Sequence, residues 1–193
     1  MYSLNVPVPG RVAALASNIA RELPEATPRI RGEHTLGVKR LYDDEHARNG
    51  QATGVGRGGN DAGVTNGGRG VDYNRLEART RELLRGQPAF EARVVELDYF
   101  SEAVTGSSPV VYLAVESPGL VELHRRLAET FDPLEEIEGD GYTPHVTVAR
   151  GGSLERAKQV TERDIEPIRW TVSKLAFWDA RRRQSVSTVS LPA

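Results

Sequence analysis

The chain has 193 residues, 38% of them apolar and 27% charged, with 25 basic against 27 acidic side chains and no cysteine. That length suits one domain with a real core, and no apolar run approaches the roughly 18 residues of a membrane span. A net charge of −2 excludes a global basic field of the kind that drives non-specific nucleic-acid binding, and the lack of cysteine excludes disulfides and thiolate metal sites.

The start, Met1-Tyr2-Ser3-Leu4-Asn5, has neither the basic nor the apolar region of a leader, so a cytoplasmic address is expected. Tyr2, Leu4, Val6 and Val8 then alternate with Ser3, Asn5 and Pro7, the period of a half-buried strand that turns at Pro9-Gly10. Val12, Leu15, Ile19 and Leu23 follow at helical spacing until Pro24. The chain becomes extended again over about Arg31 to Leu41, carrying His34. From Asn49 to Val71 there are nine glycines in 23 residues and almost nothing large and apolar, the composition of a floppy surface insertion.

Asp72 is placed to cap a helix with Leu76, Leu83 and Leu84 on one face, and Phe90 to Tyr99 has the Val, Leu and aromatic content of a strand. The continuous apolar run Val110 to Val115 predicts a strand buried on both faces. Ser117-Pro118 then supplies an N-cap with proline at the first helical position, ahead of Leu120, Leu123, Leu127 and Phe131. Gly139-Asp140-Gly141 breaks the chain before a short strand at His145 to Val148. A further helix is predicted from Ser153, a long strand from Ile168 to Trp178, and a last strand within Val186 to Leu191. The two halves therefore repeat a strand, an amphipathic helix, a strand with a histidine near its start, a helix and a strand.

Four histidines are the first candidates for acid–base work near neutral pH. His124 sits beside Leu123 near the apolar face of its helix and reads as a packing residue. His46, in Asp43-Asp44-Glu45-His46, reads as part of a solvated turn rather than a cation site. In Tyr142-Thr143-Pro144-His145-Val146-Thr147-Val148-Ala149-Arg150, strand alternation puts His145 and Thr147 on one face. An imidazole and a hydroxyl so placed suit a single anion, with Arg150 as a phosphate clamp at the strand end. Of the 25 basic residues 22 are arginine, but Arg181-Arg182-Arg183 reads as a solvated hairpin turn. Arg57-Gly58-Gly59 and Arg69-Gly70 read as linker, and Tyr142 as core. Gly54 to Gly70 lacks the Gly-Lys-Ser/Thr ending of a phosphate loop, and no His-Glu-x-x-His motif is present.

The segment Pro144 to Arg150 resembles the second His-x-Thr/Ser motif of the 2H phosphoesterase superfamily. The resemblance is to the branch containing 2′-5′ RNA ligase and RNA 2′,3′-cyclic phosphodiesterase. The first motif falls at Glu33-His34-Thr35-Leu36-Gly37, where threonine adjoins the histidine and leucine holds the usual hydroxyl position. Alternation turns Thr35 from the face of His34 unless a bulge re-aims it.

The resemblance implies an α+β fold, a single bilobal domain over 1–193 with 49–71 as an insertion. Its two related lobes would carry mostly antiparallel sheets facing a central cleft, with helices outside. It further implies His34 and His145 as catalytic acid and base, in an order left open, with Thr35, Thr147 and Arg150 as phosphate ligands. The reaction would open a ribose 2′,3′-cyclic phosphate to a 2′-phosphate, or join a 5′-hydroxyl in a 2′-5′ linkage without ATP. No cofactor or metal is implied, and the partners are RNA ends or nucleotides with a cyclic phosphate, met by a monomer without a membrane. Two rivals stay open: a non-catalytic RNA or nucleotide binder of the same fold, and a phosphodiesterase for small cyclic nucleotide derivatives.

Overall fold

A computed structural model describes residues 1–30, 32–41, 73–133 and 137–193. The solvated turn at His46, the cap at Asp72 and the 49–71 insertion lie outside the described residues. In chain order the elements are β1 (Tyr2–Pro7), α1 (Gly10–Ala20), β2 (Thr27–Pro28), β3 (Thr35–Leu41), α2 (Tyr73–Leu83), β4 (Phe90–Phe100) and β5 (Val110–Glu116). They continue with α3 (Pro118–Ala128), a 3-10 turn (Gly139–Gly141), β6 (His145–Arg150), α4 (Leu154–Thr161), β7 (Ile168–Val172), β8 (Lys174–Asp179) and β9 (Gln184–Ser190). None of these helices is long and apolar enough to cross a membrane.

Local signals act where the side chains are. Ser117 Oγ accepts the Leu120 N–H at 3.3 Å and Ser153 Oγ accepts the Arg156 N–H at 3.3 Å, each closing an orphan donor of a first helical turn. α1 buries Val12, Ala16 and Ile19, and α3 buries Leu120, Leu123, His124 and Leu127. β5 is buried along almost its whole length, as a continuous apolar run requires.

The fold is α+β with antiparallel pairing throughout. Its two halves do not carry separate sheets. One sheet runs β7-β4-β5-β6-β3-β1-β8-β9, with the two-residue β2 paired to β6. The halves join at the β3–β6 seam, where Leu36 opposes Val146, both fully buried. Helices cross that seam: α1 packs on β6 and α3 packs on β3.

The expected long strand from Ile168 to Trp178 is two strands. β7 pairs with β4 in one half, whereas β8 pairs with β1 in the other. Ser173 lies between them, its carbonyl bonded instead to the Leu191 N–H at 2.8 Å. A uniform β-rich composition gives no sign that a chain changes partners midway.

Candidate active site

Around the seam, Leu4, Val6, Leu36 and Val146 point into the apolar core. The residues alternating with them, Ser3, Asn5, Thr35, Gly37, His145 and Thr147, line a cleft of about 630 Å³. Phe100, Arg29, Arg40 and Arg150 also contribute to its wall.

His145 opens β6 directly after Pro144, whose carbonyl accepts the Val115 N–H at 3.0 Å. Its Nδ1 lies 2.7 Å from the Thr143 carbonyl oxygen. A carbonyl only accepts, so Nδ1 carries the proton and Nε2 keeps its lone pair. Phe100 and Tyr112 hold the ring edge-on, with centroids 5.4 and 5.2 Å away, and Tyr112 is fixed by donating to Asp98 at 2.9 Å. Burial lowers the His145 pKa from its ordinary value, and Arg150, Arg40 and Arg29 lower it further. The ring is therefore neutral at pH 7.

Three guanidinium groups converge on this imidazole. Arg150 donates to the Thr105 carbonyl at 2.9 Å, and its own pKa is lowered by burial and by the like charges of Arg29 and Arg40. Arg40 lies 3.9 Å from Glu138, which also accepts the Arg40 backbone N–H at 2.9 Å. Crowded like charges beside a neutral base favour an anion in the cleft. Arg183, in the turn between β8 and β9, reaches over to Glu33 at 2.6 Å and lines the same cleft.

His34 is placed otherwise than expected. Glu33 and Thr35 on either side of it line the cleft, but His34 does not. It is 4% exposed, and neither ring nitrogen has a hydrogen-bond partner among the described residues. Burial lowers its pKa, with Arg29 acting the same way and Glu33 opposing. β3 starts at Thr35 and alternates with Leu36 in the core, and His34, just before the strand, is buried as well. The same alternation brings Thr35 to the cleft with no bulge to re-aim it. The cleft thus gathers His145, Thr147, Arg150 and Thr35, and leaves His34 outside.

His124 is fully buried and doubly bonded. Its Nδ1 lies 2.7 Å from the Val38 carbonyl, and its Nε2 accepts the Gly139 N–H at 2.9 Å. Its ring stacks on Tyr142 at 3.7 Å and 9°, and the Tyr142 hydroxyl donates to the Gly37 carbonyl at 2.6 Å. Tyr142 is thereby a strut between the 3-10 turn and β3. Arg29, Arg40 and Phe100 were not singled out by the sequence, because a charged or aromatic residue at a strand end carries no local mark of what it will face.

A nine-stranded antiparallel sheet has one face covered by helices and the other open as an arginine-lined cleft around a histidine and a threonine, an arrangement suited to an anionic ligand. The chain belongs to the 2′-5′ RNA ligase superfamily, whose family model matches residues 64–184, more than half of its length. Membership makes it a protein of the phosphoesterase and ligase type. The match spans His145, Thr147 and Arg150 but begins after β3. Among solved structures, TT0787 of Thermus thermophilus is similar, with 16% identity over 98% of this chain and 97% of that one and a TM-score of 0.58. E. coli LigT complexed with 3′-AMP is similar as well, with 16% identity over 100% of this chain and 98% of that one and a TM-score of 0.52. These two likenesses are of fold. No curated protein matches the chain in sequence.

Proposed function

We propose that the cleft binds RNA ends or nucleotides bearing a 2′,3′-cyclic phosphate and opens the ring to a 2′-phosphate. The observation that carries this reading is a neutral imidazole, with its basic Nε2 left over for the cleft, set among three guanidinium groups. His145 takes a proton from water as the water oxygen bonds to phosphorus. The bond from phosphorus to the 3′ oxygen breaks, and that oxygen takes a proton from solvent. Thr147, Thr35 and Arg150 hold the non-bridging oxygens as charge builds on them. A 5′-hydroxyl in place of water gives a 2′-5′ linkage by the same single proton transfer. LigT is held with 3′-AMP in its solved structure, which is in keeping with a nucleotide ligand.

The withdrawal of His34 favours a second reading, a binder that holds the same ligand without converting it. Incubation with 2′,3′-cyclic AMP and with a short cyclic-ended oligoribonucleotide separates the two. Turnover that falls roughly 10²- to 10⁴-fold in H145A, with binding and folding kept, supports the enzyme. Binding without conversion establishes the binder. Preference for the mononucleotide marks a small-molecule phosphodiesterase, and failure of both ligands to bind overturns the reading.

A further inference from the structure

The strand order β7-β4-β5-β6-β3-β1-β8-β9 is a palindrome in structural terms. An axis through the Leu36–Val146 pair exchanges β3 with β6, β1 with β5, β8 with β4 and β9 with β7. The helices obey the same exchange, since α1 packs on β6 and α3 on β3. Strand registers test that axis residue by residue. Thr35, Leu36 and Gly37 oppose Pro7, Val6 and Asn5 on β1, just as His145, Val146 and Thr147 oppose Ala114, Leu113 and Tyr112 on β5.

Each register then slips at the same point. Past Gly37, the next pair is Lys39 with Leu4, leaving Val38 as an extra residue. Past Thr147, the next pair is Ala149 with Val111, leaving Val148 extra. The correspondence extends past the slip, where Arg40 opposite Ser3 matches Arg150 opposite Val110. Both arginines line the cleft, and both lower the His145 pKa.

We infer that Thr35-Leu36-Gly37-Val38-Lys39-Arg40, and not the segment beginning at His34, is the half-site that mirrors His145-Val146-Thr147-Val148-Ala149-Arg150. Thr35 stands at the imidazole position, Gly37 at the hydroxyl position and Arg40 at the clamp position. This half-site binds an anion through one hydroxyl and one guanidinium but moves no proton, because an aliphatic hydroxyl neither gains nor loses one near pH 7. Of these two mirror-related positions, only the one on β6 carries an imidazole among the described residues. Room for a side chain is present at the hydroxyl position: a Cβ placed at Gly37 meets only Asn5 Oδ1, at 4.0 Å, and the glycine has no left-handed φ.

Restoring the half-site tests the assignment. The turnover arm rests on the function proposed above; a binding arm does not. T35H, alone and with G37T, is expected to raise turnover of 2′,3′-cyclic AMP at least 10-fold, to add a descending alkaline limb to the pH profile, and to lose both in an H145A background. A folded T35H that binds as well as the parent and turns over no faster overturns the inference.

If the parent converts nothing, imidazole NMR with inorganic phosphate decides. In T35H the introduced ring and His145 should shift together at one saturation, and an introduced ring that ignores phosphate overturns the assignment. Should T35H fail to fold, a cysteine pair reads the register directly, since the chain has no cysteine of its own. T35C/T147C should crosslink on oxidation and H34C/T147C should not, and the reverse result sinks the proposal.

Discussion

At the scale of single residues, the outcome depends on which side of one strand an imidazole takes. His145 is neutral, ring-packed and tethered through Nδ1, so its base form dominates at pH 7. Its pKa is lowered, so the active form is lost only as pH falls through a value under the ordinary 6.5. With no second cleft-facing imidazole among the described residues, kcat/KM should rise through one acid limb and then stay level; a bell-shaped profile in the unaltered protein would count against a single base. His34 carries two buried nitrogens with no partner, a cost of about 1–3 kcal/mol for such groups. H34L should therefore keep full turnover and raise unfolding free energy by about 1 kcal/mol in urea titration. Loss of activity in that variant, with folding intact, would return His34 to the mechanism.

At the scale of elements, residues of the 137–142 segment line the cleft and are fastened to β3. Lys39 on β3 is fully buried and bonded to Glu138 at 2.6 Å, and Glu138 also takes the Arg40 N–H. Burial lowers the Lys39 pKa despite that carboxylate, which opposes the shift. The adjoining 3-10 turn is pinned by His124 and leads into the Tyr142 strut on Gly37. Lys39 also donates to the Arg40 and Asp132 carbonyl oxygens at 3.0 and 3.2 Å, so removing Glu138 takes a countercharge from a buried ammonium that keeps other hydrogen bonds. E138A should cost about 3–5 kcal/mol of unfolding free energy, measured by urea titration, whereas an exposed pair such as Arg85–Glu82 should cost under about 1 kcal/mol when broken.

At the scale of the molecule, three histidines resist protonation in the folded state. Burial lowers the pKa of His34, His124 and His145 alike. Below about pH 6.5 the unfolded chain binds more protons at these positions than the folded chain, so stability falls as pH drops through that region. The urea midpoint should be lower at pH 5.5 than at pH 7.5, with a smaller difference in H34L. A midpoint unchanged between those values would mean that burial does not hold these rings neutral.

Much of this molecule follows from its linear order. The Val110 to Val115 run, the Ser117-Pro118 and Ser153 helix starts and the alternation over His145 and Thr147 are local, because each depends on side chains within a few residues of one another. The repeat of elements was equally legible, and with it the α+β class. What local pattern could not reach was the joining of two sheets into one, the division of Ile168 to Trp178 between halves, and the side of β3 that faces the cleft. Those were decided by pairing between strands far apart in the chain, where the burial of Leu36 against Val146 places Thr35 in the cleft and His34 in the interior. A period of two names two faces of a strand, and only the partner across the seam says which of them is wet.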